Sequence, residues 1–300
     1  MEHVRWTARP DLHRPVMLAA FAGWNDAGDA STTAVRYLSE QWDSEQVAEI
    51  DAEEFFDFTE TRPCVELVDG ISRRITWPTT TISVATPQAR TAEPARDVVL
   101  VLGTEPQLRW RTFCRQVADV AFALQVEQIV VLGALLAEVP HTRPVPITGS
   151  ASDAALVLRH GLRRSRYEGP TGIVGVLHQA CDDAGLASIS LWATVPSYVP
   201  GTPSPRAALA LVERVSEVLE ADVDTTLLEV GARRYQNELD ELVAADEESA
   251  DYVRRLEGNC DERSTNRESE PAFTDDDAHR VADEVERFLR ERPPGSPGHS

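Results

Sequence analysis

Lysine is missing altogether: all 29 basic residues of the 300-residue chain are arginine. That excludes a Schiff-base lysine, an amine nucleophile and a P-loop lysine. A coding bias that replaces lysine with arginine accounts for the absence without invoking function. The four cysteines, Cys64, Cys114, Cys181 and Cys260, are widely spaced with no CxxC. Neither a zinc knuckle nor a redox pair is signalled, and reduced, mostly buried thiols are expected. Seven dispersed histidines contain no HExxH or HxH, so no metal and no cofactor are expected. Long apolar runs are lacking too. Val98 to Leu102 and Ile129 to Leu136 fall far short of the ~20 residues that cross a membrane, and Met1 to Arg5 begins no secretory leader. A soluble, cytoplasmic protein with no membrane contact is expected. Fifty acids against 29 arginines leave a net charge of −21, which disfavours nucleic acid, because phosphate binding needs clustered positive charge.

The 42% apolar content is enough for a buried core. Short β-branched runs alternate with helical patterns: Pro15 to Phe21 precedes Asp29 to Trp42, and Val98 to Leu102 precedes Gln107 to Leu124. This alternation is the α/β signature. In the second unit Phe113, Val117, Val120, Ala121 and Leu124 share one helical face, and Gln128 to Leu132 follows as a buried strand. At Cys64 to Trp77, Asp69-Gly70 predicts a two-residue hairpin turn that sets Glu66 opposite Arg73. Ser204-Pro205 supplies an N-cap and first-turn proline for a helix with Ala208, Leu211, Val212, Val215 and Leu219 on its apolar side.

Acidity concentrates at the C-terminal end, where residues 213–300 hold 25 acids and 11 arginines, a net of −14. A partner of this part should be basic and its binding salt-sensitive. Leu228, Ala232, Tyr235, Leu239 and Leu242 form a narrow heptad-like stripe that must pack on the α/β body or on a second copy. It marks an interaction helix and favours a homo-oligomer. Gly258 to Pro271 is polar and aperiodic and reads as a disordered linker. Ala278, Val281, Val285 and Phe288 predict a last helix before a Pro/Gly/Ser tail. The expected organisation is an α/β domain over 1–222, a helical extension over 223–257, a linker over 258–274 and a terminal helix and tail over 275–300.

Four segments offer chemistry and, beside it, architecture. Ala22-Gly-Trp-Asn-Asp-Ala-Gly-Asp29 lies where open α/β sheets place ligand loops. Trp24, Asn25, Asp26 and Asp29 are ligand or partner candidates there, although the glycines and an aspartate also suit a turn and a helix cap. Glu105 sits at the equivalent junction of the second unit, as a cap or as an acid. The run 132–153 brings His141, Arg143 and Ser150 near one another in sequence, an anion pocket or hydrolytic site on one reading and a proline-held loop on the other. Tyr167-Glu-Gly-Pro-Thr-Gly-Ile-Val-Gly175 offers backbone amides to an anion or permits tight packing. No nucleophile and base are paired, so no catalytic residue is assigned. A shared carboxyl edge would put Trp24, Glu105 and His141 in one cleft.

Four runs, Ala22 to Gly28, Leu132 to Leu136 with Val139-Pro-His-Thr-Arg-Pro-Val-Pro146, Tyr167 to Gly175, and Ser190-Leu-Trp-Ala-Thr-Val-Pro196, together resemble the proteasome-assembly-chaperone family in its bacterial, actinobacterial-type branch. The likeness spans about residues 14 to 220 in order. It implies a three-layer α/β/α, phosphorylase/hydrolase-like fold, here with a C-terminal helical extension. It further implies a non-enzymatic, assembly-chaperone-like role with a proteasome-related protein partner, and it supplies no catalytic residues. Family chaperones that dock through their tails end in a hydrophobic residue, tyrosine and one more residue. Gly298-His299-Ser300 departs from that pattern. The alternative is a phosphorylase- or hydrolase-type enzyme using the carboxyl-edge cleft.

Overall fold

The computed structural model describes residues 2–69, 72–91, 95–162 and 168–266. Its centre is β2 (Val16–Ala22), an uninterrupted apolar strand buried on both faces, as a parallel strand covered on two sides requires. It pairs in parallel with β7 (Val98–Thr104) on one side and β8 (Gln128–Ala137) on the other. With β1 (Val4–Trp6), β3 (Glu45–Ile50), β6 (Thr80–Ala85), β9 (Ile147–Ala151) and β10 (Ala187–Pro196), an eight-stranded mixed sheet runs in the order β1-β3-β6-β7-β2-β8-β10-β9.

Period-two alternation sorts the strands into two cores. Val16, Leu18, Leu100, Val130 and Leu132 face α1 (Ala30–Gln41) and α5 (Pro205–Leu219). Met17, Phe21, Val99, Val101 and Ile129 face α2 (Trp110–Ala123) and α4 (Ile173–Asp183). The result is a three-layer α/β/α sandwich with the short α3 (Ala154–Arg159) near the β9 edge. Phe113 of α2 stacks edge-on against Phe21 and Phe55 at 5.7 and 5.3 Å. The anticipated apolar faces of α2 and α5 are buried, and Ser204 caps α5 by accepting the Ala207 amide at 3.4 Å. Cys114 and Cys181 are buried, and that burial pushes both thiols up to about 12; Cys64 is exposed and Cys260 half-buried.

Three expectations need correction. The hairpin of β4 (Cys64–Val68) and β5 (Ser72–Thr76) places Glu66 opposite Arg74, and Leu67 opposite Arg73. Val68 pairs with Ser72, so three residues separate the strands instead of two, which shifts every partner by one position. The first part of the expected linker, Gly258 to Asn266, is helical: after α6 (Thr226–Ala244), α7 runs Glu247–Asn266, and the remainder of that linker lies outside the described residues. Gly258 points into open space there, and a solvent-facing glycine costs a helix only about 1 kcal/mol. The interaction stripe ends early, because Leu228, Ala232, Tyr235 and Leu239 are buried but Leu242 is 62% exposed. The predicted terminal helix and tail lie outside the described residues. Among the described residues, no helix is long and apolar enough to cross a membrane.

Candidate functional site

Strands β2 and β7 finish side by side, with Ala22 opposite Thr104, so the segments after them emerge at the same carboxyl edge. The Glu105 amide donates to the Ala22 carbonyl at 2.8 Å. Gly23, at φ 134°, lets the chain pass within 3.1 Å of the Glu105 Cβ, measured from where a side chain would begin. The Asn25 carbonyl then accepts the Ala134 amide of β8 at 2.8 Å.

Three polar side chains brought together here, Asn25, Asp26 and Glu105, close on helix ends. Asp26, buried, accepts the Ser31 amide at 2.7 Å, the Ser31 hydroxyl at 2.6 Å and the Thr32 amide at 3.2 Å, and its second oxygen accepts the Thr32 hydroxyl. It caps α1 through two backbone donors that would otherwise be orphaned. Asn25 Oδ1 accepts the Val174 amide at 3.3 Å, and Glu105 Oε1 accepts the Ile173 amide at 2.8 Å. Glu105 therefore caps α4, not the helix that follows it, because α2 begins only at Trp110. Those amides are two that the glycine-rich run would offer to an anion, and side-chain oxygens of the same chain occupy them. Trp24 is 47% exposed; Asp29 is exposed and its side chain makes no cap bond to α1.

His141 and Arg143 do other work. His141 is 3% exposed, and its amide donates to the Tyr198 hydroxyl oxygen at 2.8 Å. That hydroxyl donates in turn to Nδ1 at 2.7 Å, which leaves the ring proton on Nε2, directed at Asp240 Oδ1 of α6 at 3.0 Å. Burial pushes the Tyr198 phenol up to about 12, so it stays a donor. Arg143 grips Asp261 of α7 with two bonds of 2.8 Å, the planar fork matching the carboxylate, and reaches Glu257 at 3.3 Å. Arg143 holds the Asp261 carboxyl below the usual carboxylate range. Thr142 donates to Glu257, and Arg206 of α5 links the Arg143 carbonyl, at 2.8 Å, to Gln236 of α6. The 139–146 loop is thus a clasp for α6 and α7. Ser150 belongs to neither group; it pairs with Ser190 across β9 and β10 at 2.7 Å.

The single cleft expected for Trp24, Glu105 and His141 is not what these partners describe. Glu105 is bound to α4 in one helical layer, and His141 to α6, which packs on α5 in the other. Asp240, Glu257, Asp261 and Tyr198 were not singled out from sequence; the one local signal was the i,i+4 spacing of Glu257 and Asp261, which sets both on one helix face. Among the described residues no three His, Cys, Asp or Glu side chains converge as metal ligands do.

Beneath the clasp, Leu228 joins the α1/α5 core, while Tyr235 and Leu239 pack on Tyr198 and Val199. Leu239→Asp is therefore expected to cost roughly 3 kcal/mol and to speed amide exchange across 226–244, whereas Leu242→Asp should stay within about 0.5 kcal/mol of the parent. Equal behaviour of the two variants would show that the stripe does not hold the helix.

Comparison with known proteins bears on this geometry. The model of the PAC2 family matches residues 20–243. A PAC2 family protein from Streptomyces avermitilis is 49% identical, with 80% of this chain and 99% of that one covered and a TM-score of 0.74. A proteasome-assembly chaperone homologue from Mycobacterium tuberculosis is 46% identical over 79% of this chain and 99% of that one, with a TM-score of 0.71. An archaeal proteasome activator from Pyrococcus furiosus, 16% identical over 80% of this chain and 97% of that one, shares the fold at a TM-score of 0.65. No curated protein matches the chain.

Proposed function

The chain belongs to the PAC2 family, and on that premise we propose that it is a non-enzymatic, assembly-chaperone-like protein. It works in the cytoplasm through protein contacts, with a proteasome-related partner and with further copies of itself. The observation that carries this reading is the consumption of the carboxyl-edge side chains within the chain. Asp26, Asn25 and Glu105 cap α1 and α4, and His141 and Arg143 hold α6 and α7. A catalytic acid or base needs its lone pair or proton directed at a substrate, and these are directed at helices. They stiffen the α/β body, and α6 and α7 are held against it. The names of its relatives point the same way, since one is a proteasome-assembly chaperone homologue and a distant one a proteasome activator.

Affinity capture of the full chain from its own cells, followed by mass spectrometry, tests the reading. Proteasome subunits should be retained, and retained equally by Glu105→Gln, since glutamine keeps the oxygen that caps α4. Failure to retain any protein, together with turnover of a small substrate that Glu105→Gln abolishes, would replace this reading with the enzymatic one.

A further inference from the structure

The hairpin β4/β5 is a sheet of its own, and among the described residues no other strand or helix makes a substantial contact with it. Residues directly opposite in an antiparallel pair share a face, so Val65 with Ile75 and Leu67 with Arg73 form one side. Cys64, Glu66, Arg74 and Thr76 form the other, where Glu66 stands opposite Arg74. The first side is apolar and bare: Val65, Leu67 and Ile75 are 62%, 65% and 56% exposed. Trp77 continues the strand at its root and leans edge-on against Phe58 at 4.8 Å. A two-stranded ribbon is marginal alone in water, and a contiguous exposed apolar patch marks an interaction surface.

Charge decides what covers it. Two copies at −21 each repel wherever their acidic surfaces meet. Of the four strand positions on the apolar hairpin face, Val65, Leu67, Arg73 and Ile75, one is charged, Arg73, and none is a carboxylate, so the acidic surface of a second copy meets opposite charge there. The α6 stripe from Leu228 to Leu239 is already covered by its own body. We propose that the Val65, Leu67 and Ile75 face of the hairpin docks on a second copy of this chain, with Arg73 meeting a carboxylate of that copy. This rests on the homo-oligomeric part of the function proposed above and gives it a surface.

Sedimentation velocity of the full chain over a wide range of concentration tests it, with Leu67→Glu and Arg73→Glu beside the parent and thermal melts as the folding control. The hairpin stands clear of both cores, so both variants should melt with the parent. The parent should self-associate. Leu67→Glu should weaken association by about tenfold or more, and Arg73→Glu should weaken it as well. Association that Leu67→Glu leaves unchanged would overturn the hairpin assignment while preserving the oligomer. A parent that is monomeric throughout would overturn the docking of a second copy, leaving the capture experiment to judge the protein-contact reading separately. A monomeric parent whose captured partner is lost in Leu67→Glu would give the face to another protein, and this too would overturn it.

Discussion

Gly172→Ala is expected to lower the stability of the protein by about 2 to 4 kcal/mol, the worth of two helix caps. Gly172 has a φ of −99°, which any residue adopts, so glycine is needed there for space and not for backbone freedom. A Cβ would come 2.1 Å from Asn25 Oδ1 and 2.8 Å from Glu105 Oε1, the two oxygens that accept the Val174 and Ile173 amides. Both side chains must withdraw, and both amides then lose their acceptors at a buried helix end. Gly258→Ala supplies the opposite sign. Nothing lies within 4 Å of that position in α7, so alanine should stabilise the helix by about 1 kcal/mol. Thermal unfolding of the two variants checks both; a neutral Gly172→Ala would mean that the α4 end is not held by these caps.

Asp26→Ala should be comparably damaging, about 2 to 4 kcal/mol. It removes the acceptor for two backbone amides and two hydroxyls at a position only 4% exposed. Asp26→Asn keeps one oxygen for the Ser31 and Thr32 amides and can donate to the Thr32 hydroxyl, so it should cost only about 1 kcal/mol. This ordering separates a cap from a ligand-binding acid. An acid that served a ligand would lose binding in Asn with the melting point unchanged, and it would tolerate Ala as well as any exposed site does.

Local structure was readable from the residues; long-range partnership was not. The α2 face, the Ser204-Pro205 cap and the stripe as far as Leu239 follow from spacing alone, because apolar periodicity and capping chemistry are local properties. Glu105 reads as a cap, yet the helix it caps begins 68 residues later. His141 and Arg143 read as an anion or catalytic group because their partners, 99 and 118 residues away, leave no trace in the neighbouring sequence. The hairpin register failed for a different reason: Asp69-Gly70 suits a two-residue and a three-residue loop alike, and one residue moves every cross-strand pair. The stretch from Gly258 reads as a linker because a polar, charged helix offers no apolar period to mark it.

The 139–146 loop binds this chain's own helices α6 and α7. Amide hydrogen exchange on the parent and on the double variant His141→Ala/Arg143→Ala tests this binding most directly. The variant loses the bonds to Tyr198, Asp240, Asp261 and Glu257, so exchange across 226–262 should accelerate by about tenfold or more, a change of ~1.4 kcal/mol. Protection of β2, β7 and β8 should hold. Unchanged protection of α6 and α7 in the double variant would contradict the clasp and return His141 and Arg143 to the list of ligand-binding candidates.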